Sequence, residues 1–304
     1  MTTGVHVVWH GSSLEHDPGI GHPESPERLR AILEALRAAE DVLDLTFDEA
    51  AAATIDQVVR VHPLEYVDRL RQVAGAGGGA IDADTRMSAG SYEAAMHAAG
   101  ATIEAVRLSV EGTPAFAAVR PPGHHATAAR AMGFCLINNV AVATYEALEG
   151  MGLEHVLIVD WDVHHGNGTQ AIVEADARVR YVSMHQWPLY PGTGAAGETG
   201  VGNVINVPLP GGLPRGRYVA ALNEAVDRAT DGWTPDLVLI SAGFDAMAGD
   251  PLAAFTLEPE DYGSWITTWS QIGVPMAMVL EGGYVPSRIA EAAIESVAAL
   301  IHVS

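Results

Sequence analysis

Short apolar runs constrain the fold of this chain more than any other feature of its sequence. Runs such as Val156–Val159 and Leu237–Ile240 are hydrophobic at every position rather than at every second position. A strand buried on both faces has this pattern, and such strands occur in parallel sheets covered by helices on each side. The runs are also far too short to cross a bilayer, because a membrane-spanning helix needs about 20 apolar residues.

Segments with helical periodicity lie between these runs. In Pro26–Ala38 the apolar residues recur at helical spacing, and Ser25 followed by a proline is typical of a helix start. The alternation predicts an α/β fold with an open, mostly parallel central sheet flanked by helices on both faces. We expect residues 1–304 to form a single domain, and Gly75–Gly79 to form a flexible loop. The predicted strands are Val5–Trp9, Ala115–Val119, Val156–Val159, Val179–Ser183, Leu237–Ile240 and Met276–Leu280.

Composition narrows the classes of function. The chain has 16 Lys and Arg residues against 38 Asp and Glu residues, a net charge of -22. A field of that sign opposes nucleic-acid binding and favours cationic small molecules or basic peptides, although solubility alone also explains an acidic chain. The single cysteine, Cys135, excludes an internal disulfide and a thiolate zinc site, and we expect it to be a packed residue. Because the N-terminal residues lack the basic and apolar regions of a signal peptide, we expect a cytoplasmic protein without a membrane partner.

Ionisable residues follow four of the predicted strands at the point where each strand ends. These polar segments are 120–125, 160–168, 241–245 and 281–284. Open parallel sheets bind their ligands at the carboxyl ends of the strands, so the sequence predicts an active site at that edge.

The segment after Val159 predicts a metal site. In an extended chain alternate side chains share a face, so Asp160, Asp162 and His164 point the same way. Two carboxylates and an imidazole suit a divalent cation, and Asp245 adds a third ligand that leaves a fourth position for water, as in catalytic zinc sites. A surface loop with a chance histidine pair is the alternative. It is disfavoured because charges directly after a buried strand need a metal or hydrogen bonds to neutralise them.

Two further segments supply groups for proton transfer and oxyanion binding. His124 and His125 follow a Pro-Pro-Gly turn that fixes adjacent imidazoles, and histidine suits proton transfer near neutral pH. A second metal pair and a purely structural histidine pair are the alternatives. Tyr284 follows two glycines, and its hydroxyl can donate to a developing oxyanion. The alternative is that Tyr284 is an ordinary aromatic residue of a loop.

The same segments make the chain resemble the class II-type histone deacetylases of the arginase/deacetylase superfamily, and in particular a bacterial-type histone deacetylase-like amidohydrolase. The matching segments extend from residue 22 to residue 284, nearly the whole chain, and several are long and ordered. They are His22–Glu24, Glu27–Arg28, Arg120–His125, Gly133–Cys135, Asn138–Asn139, Asp160–Gln170, Tyr190–Gly194, Asn206–Pro208, Ser241–Leu252 and Leu280–Tyr284.

The resemblance implies a role for each catalytic residue. Zinc ligands are implied at Asp162, His164 and Asp245. His124 and His125 match the catalytic histidines, the second as general base and acid, and Tyr284 matches the tyrosine that polarises the acyl carbonyl. Asn167 matches the partner of the second histidine, an Asp in class I relatives. Because an amide cannot neutralise an imidazolium, we expect His125 to gain a proton less readily than in those relatives.

The resemblance also implies structural potassium, at one or two sites. Residues matching the first monovalent-cation site are Asp160, Asp162, His164, Ser183 and Met184. A second site uses mainly backbone oxygens, and the residues that align with it are Val173, Asp176, Val179 and Asn203.

An acyl-lysine tunnel follows from the resemblance as well. Phe134 and Tyr190 match its aromatic walls, and Gly133 matches its backbone acceptor. Tyr190 occupies a position that is commonly Phe, so its hydroxyl narrows the tunnel or adds a polar contact. Leu252 lies near the mouth, where members that select acetylated polyamines carry an acidic residue.

The resulting hypothesis is a zinc-dependent hydrolase that removes acyl groups, with acetyl the first choice, from the Nε amide of lysine or a similar amine. Its partners are an acylated lysine peptide or protein, or an acylated polyamine, and a homo-oligomer is left open. Three alternatives are an acetylpolyamine deacetylase, a ureohydrolase with two manganese ions, and a catalytically silent acyl-lysine binder. The ureohydrolase needs more Asp ligands around two adjacent metals, whereas the paired histidines, the Glu-Gly-Gly-Tyr segment and Phe134 favour one zinc. A silent relative usually lacks part of the catalytic set.

Overall fold

Eight parallel strands form the central sheet of the chain, whose computed structural model describes residues 4–301 and 303. The strands, in chain order, are β1 (Val5–Trp9), β2 (Leu45–Glu49), β3 (Gly78–Ala80), β4 (Arg86–Ser88), β5 (Ala115–Ala117), β6 (Val156–Asp160), β7 (Val179–Gln186), β8 (Val204–Leu209), β9 (Leu237–Ala242) and β10 (Met276–Leu280). The order across the sheet is β2-β1-β5-β10-β9-β6-β7-β8, and β3 and β4 form a separate antiparallel hairpin.

Helices connect these strands. In the described part of the chain they are α1 (Pro26–Ala38), α2 (Glu40–Leu43), α3 (Ile55–Val58), α4 (Leu64–Gly75), α5 (Ser91–Val110), α6 (Asn139–Glu149), α7 (Asn167–Val173), α8 (Arg215–Thr230), α9 (Pro259–Trp269) and α10 (Pro286–Leu300). Across those residues no helix combines the length and the hydrophobicity that a bilayer crossing requires.

The sheet is covered on both faces. Helices α1, α8, α9 and α10 pack on one face, and α4, α5 and α6 pack on the other. Along β6 the side chains alternate accordingly, with Leu157 and Val159 in the first core and Val156 and Ile158 in the second. This double burial explains why the strands are apolar at every position. The predicted α/β fold, with a parallel sheet flanked by helices on both faces, is confirmed.

The edge strands were missed by the sequence prediction. β2 and β8 each pair on one side only, and a large part of each strand is solvent-accessible. Polar residues are therefore tolerated there, and no continuous apolar run marks them. The predicted strand ending at Val119 was also too long, because β5 leaves the ladder after Ala117, ahead of two prolines that lack an N–H donor.

The prediction of a flexible loop at Gly75–Gly79 was wrong. Gly75 is the last residue of α4, and Gly78 and Gly79 pair with β4. Gly77 and Gly78 have φ values of 97° and 94°, in the left-handed region that glycine adopts readily. The glycines therefore make a tight connection between a helix and a strand.

Gly100 tests the packing of α5 against the loop that follows β2. A Cβ added there would collide with the backbone of residues 51–53. We expect Gly100→Ala to lower the free energy of unfolding by about 1–3 kcal/mol, because that backbone must move. Gly216 in α8 is the matched control, since a Cβ there meets open space. Gly216→Ala should change stability by less than about 1 kcal/mol, in the stabilising direction. Chemical denaturation of both variants checks this, and equal stabilities would contradict it.

Candidate functional site

The four central strands bring the predicted polar segments together. β5, β10, β9 and β6 are consecutive neighbours in the sheet. One of the segments 120–125, 281–284, 241–245 and 160–168 lies at or just after the carboxyl end of each strand. Because all four strands run in the same direction, these segments meet at one edge of the sheet.

Asp162, His164 and Asp245 form a buried cluster at this edge. One ligand atom from each lies within 4.8 Å of the other two. The Nδ1 atom of His164 is 3.1 Å from both Asp162 Oδ1 and Asp245 Oδ2. Trp161 and Val163 point into the core on the opposite side, which confirms the predicted alternation along this segment.

The cluster fits a divalent cation by its chemistry and its shape. Burial opposes a charge on His164, but the carboxylates of Asp162 and Asp245 outweigh it and raise the pKa of His164 to about 10. The two carboxylates therefore favour a positive charge at this point, which a bound metal ion would supply. Gly243 and Gly282 leave the necessary space, because a Cβ at either would run into these carboxylates.

The two histidines have different hydrogen-bond partners, and their pKa values are shifted in opposite directions. His124 Nδ1 lies 3.1 Å from Asp160 Oδ2, and His125 Nδ1 lies 2.8 Å from the Asn167 side-chain oxygen. Burial opposes protonation of His124, but Asp162 and Asp160 raise its pKa well above the usual value. Burial, together with the positive charge of His124, holds the pKa of His125 well below the usual value. The surroundings therefore favour the charged form of His124 and the neutral form of His125.

A narrow pocket of about 230 Å³ leads from the surface to this edge of the sheet. All four predicted substrate-binding residues line it, and the edge of the His125 ring faces Tyr190 with 5.1 Å between the ring centroids. Asp84 and Leu189 also line the pocket and were missed, because no motif marks them. The complete lining is Asp84, His125, Gly133, Phe134, His164, Leu189, Tyr190, Leu252 and Tyr284.

Comparison with known proteins assigns the family. Residues 22–300 match the histone deacetylase domain. The chain belongs to the histone deacetylase family. Membership of this family supports a deacetylase or amidohydrolase activity.

Relatives of this histone deacetylase domain occur in archaea and bacteria. A probable deacetylase of Methanothermobacter thermautotrophicus is 39% identical over 93% of this chain and 87% of its own length. The histone deacetylase-like amidohydrolase of Pseudomonas aeruginosa is 37% identical over 90% of this chain and 75% of its own length. Among solved structures, the HDA15 HD domain matches with a TM-score of 0.94 and 37% identity, covering 100% of this chain and 90% of that one.

Phe134, in the wall of this pocket, has a strained backbone conformation. Phe134 has a φ of 68°, which is uncommon for a residue with a bulky side chain. Its N–H donates to Thr85 Oγ1 at 3.1 Å, and its ring packs edge-on against His22. A Cβ at the preceding Gly133 would run into the His125 ring, so this deacetylase domain needs glycine there.

A buried ion cluster secures the loop that carries Tyr284. Glu24 accepts hydrogen bonds from Arg28 at 2.9 Å and from Arg120 at 2.5 and 2.7 Å. Arg28 also donates to the carbonyls of Glu281 and Gly283, both at 2.5 Å, and its guanidinium lies 5.0 Å from the Tyr284 ring centroid.

The sequence interpretation gave this cluster no role, although one signal for it exists. Arg28 lies four and eight positions before Ile32 and Leu36 on the apolar stripe of α1, where a charge implies a buried partner.

Cys135 is buried, as predicted. Its thiol donates to the Gly133 carbonyl at 3.3 Å and accepts the His125 N–H at 3.4 Å. Burial raises the pKa of the Cys135 thiol well above its usual value, so it stays protonated and packs beside the tunnel.

The residues of the first predicted monovalent-cation site lie together. Asp160 and Ser183 are register partners in β6 and β7. The Ser183 hydroxyl lies 3.0 Å from Nδ1 of His185. Because Nε2 of His185 donates to a carbonyl at 2.9 Å, Nδ1 is an acceptor and takes the hydroxyl hydrogen of Ser183. The lone pairs of the Ser183 oxygen can then face a cation. The Met184 side chain packs in the core, so only its backbone oxygen is available as a ligand. These residues fit a cation, and the site stays a prediction.

The second predicted cation site does not fit an ion. Asn203 is buried, and its side-chain nitrogen, which has two hydrogens to donate, lies 2.9, 3.0 and 2.9 Å from the carbonyl oxygens of Val173, Asp176 and Val179. Its side-chain oxygen accepts the Val201 N–H at 3.2 Å, which fixes the orientation of the amide. An amino group therefore occupies the point on which the three carbonyls converge.

A variant at Asn203 tests whether its side-chain amide takes the place of an ion. Asn203→Ala removes the side-chain donor from the three carbonyls, of which those of Val173 and Asp176 each keep one backbone N–H, and the loss should cost about 1–3 kcal/mol of stability. We expect added K⁺ to restore part of that loss, and to raise the melting temperature of the variant more than that of the wild type. Rubidium-soaked crystals should show a peak at these carbonyls in the variant only. A rubidium peak there in the wild-type protein would contradict the assignment.

Proposed function

We propose that the protein is a zinc-dependent deacylase that removes acetyl groups from the Nε amide of lysine. The observation that carries this proposal is the narrow pocket that ends at the buried Asp/His/Asp cluster. Its walls, Phe134, Tyr190 and Leu252, suit an aliphatic lysine side chain, while His125 and Tyr284 lie among the polar groups that would face the amide. Zinc would be held by Asp162, His164 and Asp245, and when bound it supplies Lewis-acid polarisation of the amide carbonyl.

The two histidines divide the proton transfers in this proposal. Neutral His125 accepts a proton from the attacking water, because the positive charge on His124 keeps it unprotonated before reaction. His125 then returns that proton to the departing amine. His124 stays charged through its contact with Asp160 and stabilises the negative charge that develops on the substrate.

Tyr284 supplies a hydrogen bond to the oxyanion. Burial and the nearby Asp245 carboxylate raise the pKa of Tyr284 well above its usual value, so its hydroxyl keeps the proton that it donates. The backbone N–H of Tyr284 is bound by Asp250 at 2.9 Å, which fixes the loop position.

Tyr284→Phe tests the role of the hydroxyl. We expect kcat on an acetyl-lysine peptide to fall by about 100-fold or more, because the oxyanion loses a preorganised donor. Zinc content and the affinity of a zinc-chelating hydroxamate should stay near the wild-type values, since Tyr284 is not a ligand. Turnover close to that of the wild type would remove Tyr284 from the mechanism.

A polyamine substrate is the second candidate, and Asp84 favours it. Its carboxylate lines the pocket and suits a cationic amine, whereas Leu252 offers an apolar surface instead of an acid. The ureohydrolase alternative has less support, because in the described residues the cluster at Asp162, His164 and Asp245 offers two carboxylates, too few for two adjacent metals.

Comparing kcat/KM decides between the two substrate classes. We expect an acetyl-lysine peptide to exceed a mono-acetylated polyamine by about tenfold or more, because Leu252 cannot pair with a second ammonium group. Leu252→Glu should narrow or reverse that ratio, and Leu252→Met is the size-matched control. A wild-type preference for the polyamine would assign the protein to the second class, and no turnover of either by the zinc-loaded protein would favour a silent binder.

We also propose one structural potassium ion in the first site. Support comes from the carboxylate of Asp160 and the free lone pairs of Ser183, which are oxygen donors of the kind that hard monovalent cations prefer.

A further inference from the structure

Glu281 is a buried acid that the proposed reaction does not use. It follows β10 directly, and its side chain is inaccessible to solvent. Although one of its oxygens lies within 4.8 Å of ligand atoms of His124 and Cys135, hydrogen bonds from the protein already engage the carboxylate. These hydrogen bonds satisfy the buried carboxylate without a metal.

Both carboxylate oxygens of Glu281 bind neighbouring segments. One oxygen accepts the backbone N–H of Gly123 at 2.7 Å and that of His124 at 3.1 Å. The other accepts the Ser241 hydroxyl at 3.2 Å, at the end of β9. Glu281 thus ties the histidine turn to two central strands at once.

Glu281 is the acceptor for the first backbone N–H groups of the turn. Pro121 and Pro122 have no N–H, so the N–H groups of Gly123 and His124 are the first that the turn can offer, and both go to Glu281. The carbonyl of His124 is held from the opposite side by the N–H groups of Gly168 and Thr169, at 3.0 and 3.1 Å. The backbone of His124 is therefore clamped between Glu281 and the first turn of α7.

We propose that Glu281 is a positioning residue, which sets the place of His124 and His125 through the backbone of their turn. This proposal rests on the deacylase function proposed above. It assigns the effect to the length and hydrogen bonding of the side chain rather than to its charge. Small displacements of the histidines should lower kcat and leave KM nearly unchanged, since neither imidazole anchors the substrate chain.

Two conservative variants separate position from charge. Glu281→Gln keeps the length, so its amide oxygen can accept both backbone N–H groups while its nitrogen donates to Ser241. Glu281→Asp keeps the charge but is one methylene shorter, so it cannot reach both the turn and Ser241. We expect Asp to lower kcat by about tenfold or more and Gln by about threefold or less, with KM and zinc content near wild type in both.

Ser241→Ala is the matched control, because it removes the third contact of the same carboxylate and leaves the turn untouched. Its kcat should fall by no more than about threefold. The reverse order, with Gln worse than Asp, would assign the effect to charge and overturn the proposal, as would equal kcat values in both variants.

Amide hydrogen exchange tests the position without any turnover. The N–H groups of Gly123 and His124 should exchange faster in Glu281→Asp than in the wild type, and should stay protected in Glu281→Gln. If the wild-type protein hydrolyses no amide, the deacylase proposal fails while this measurement still decides the role of Glu281. Equal protection in both variants would overturn it.

Discussion

The contact of Glu24 with two arginines is the interaction on which the geometry of the site depends. A carboxylate and two guanidinium groups are fully buried, and burial of single charges is costly unless each is paired and hydrogen-bonded. Burial alone would raise the pKa of Glu24, but Arg120, His16 and Arg28 outweigh it and hold that pKa well below the usual value. The surroundings of Glu24 thus favour its charged form.

The cluster joins three segments that the sheet alone would leave adjacent but loose. Arg28 brings α1 to the glycine loop that carries Tyr284, and Arg120 precedes the turn that carries His124. Glu281 then links that loop to the same turn from the other end. Side chains on loops are often mobile. Here charged side chains with several hydrogen bonds hold the loops in place.

The sequence predicted what depends on local order, and missed what depends on distant partners. Asp162 and His164 were found because their spacing along an extended segment follows from the geometry of a single strand. The edge strand β2 was missed because half-exposed strands lack an apolar run. The role of Arg28 was missed because two of its acceptors, the carbonyls of Glu281 and Gly283, lie more than 250 positions away along the chain. The orientation of Asn203 was likewise unpredictable, because three carbonyls of the turn before β7 give its amide a partner that a sequence motif does not show.

The different roles proposed for His124 and His125 follow from the positions of the neighbouring carboxylates. Two buried imidazoles with ring centroids 4.0 Å apart cannot both be charged, because each cation disfavours the other. Asp162 and Asp160 favour a proton on His124, while Asn167, an amide, gives His125 a hydrogen bond without a compensating charge. An Asp at position 167 would raise the pKa of His125 and favour the protonated form, which cannot accept a proton from water. The amide of Asn167, in place of a carboxylate, therefore leaves His125 as the histidine that can accept a proton from water.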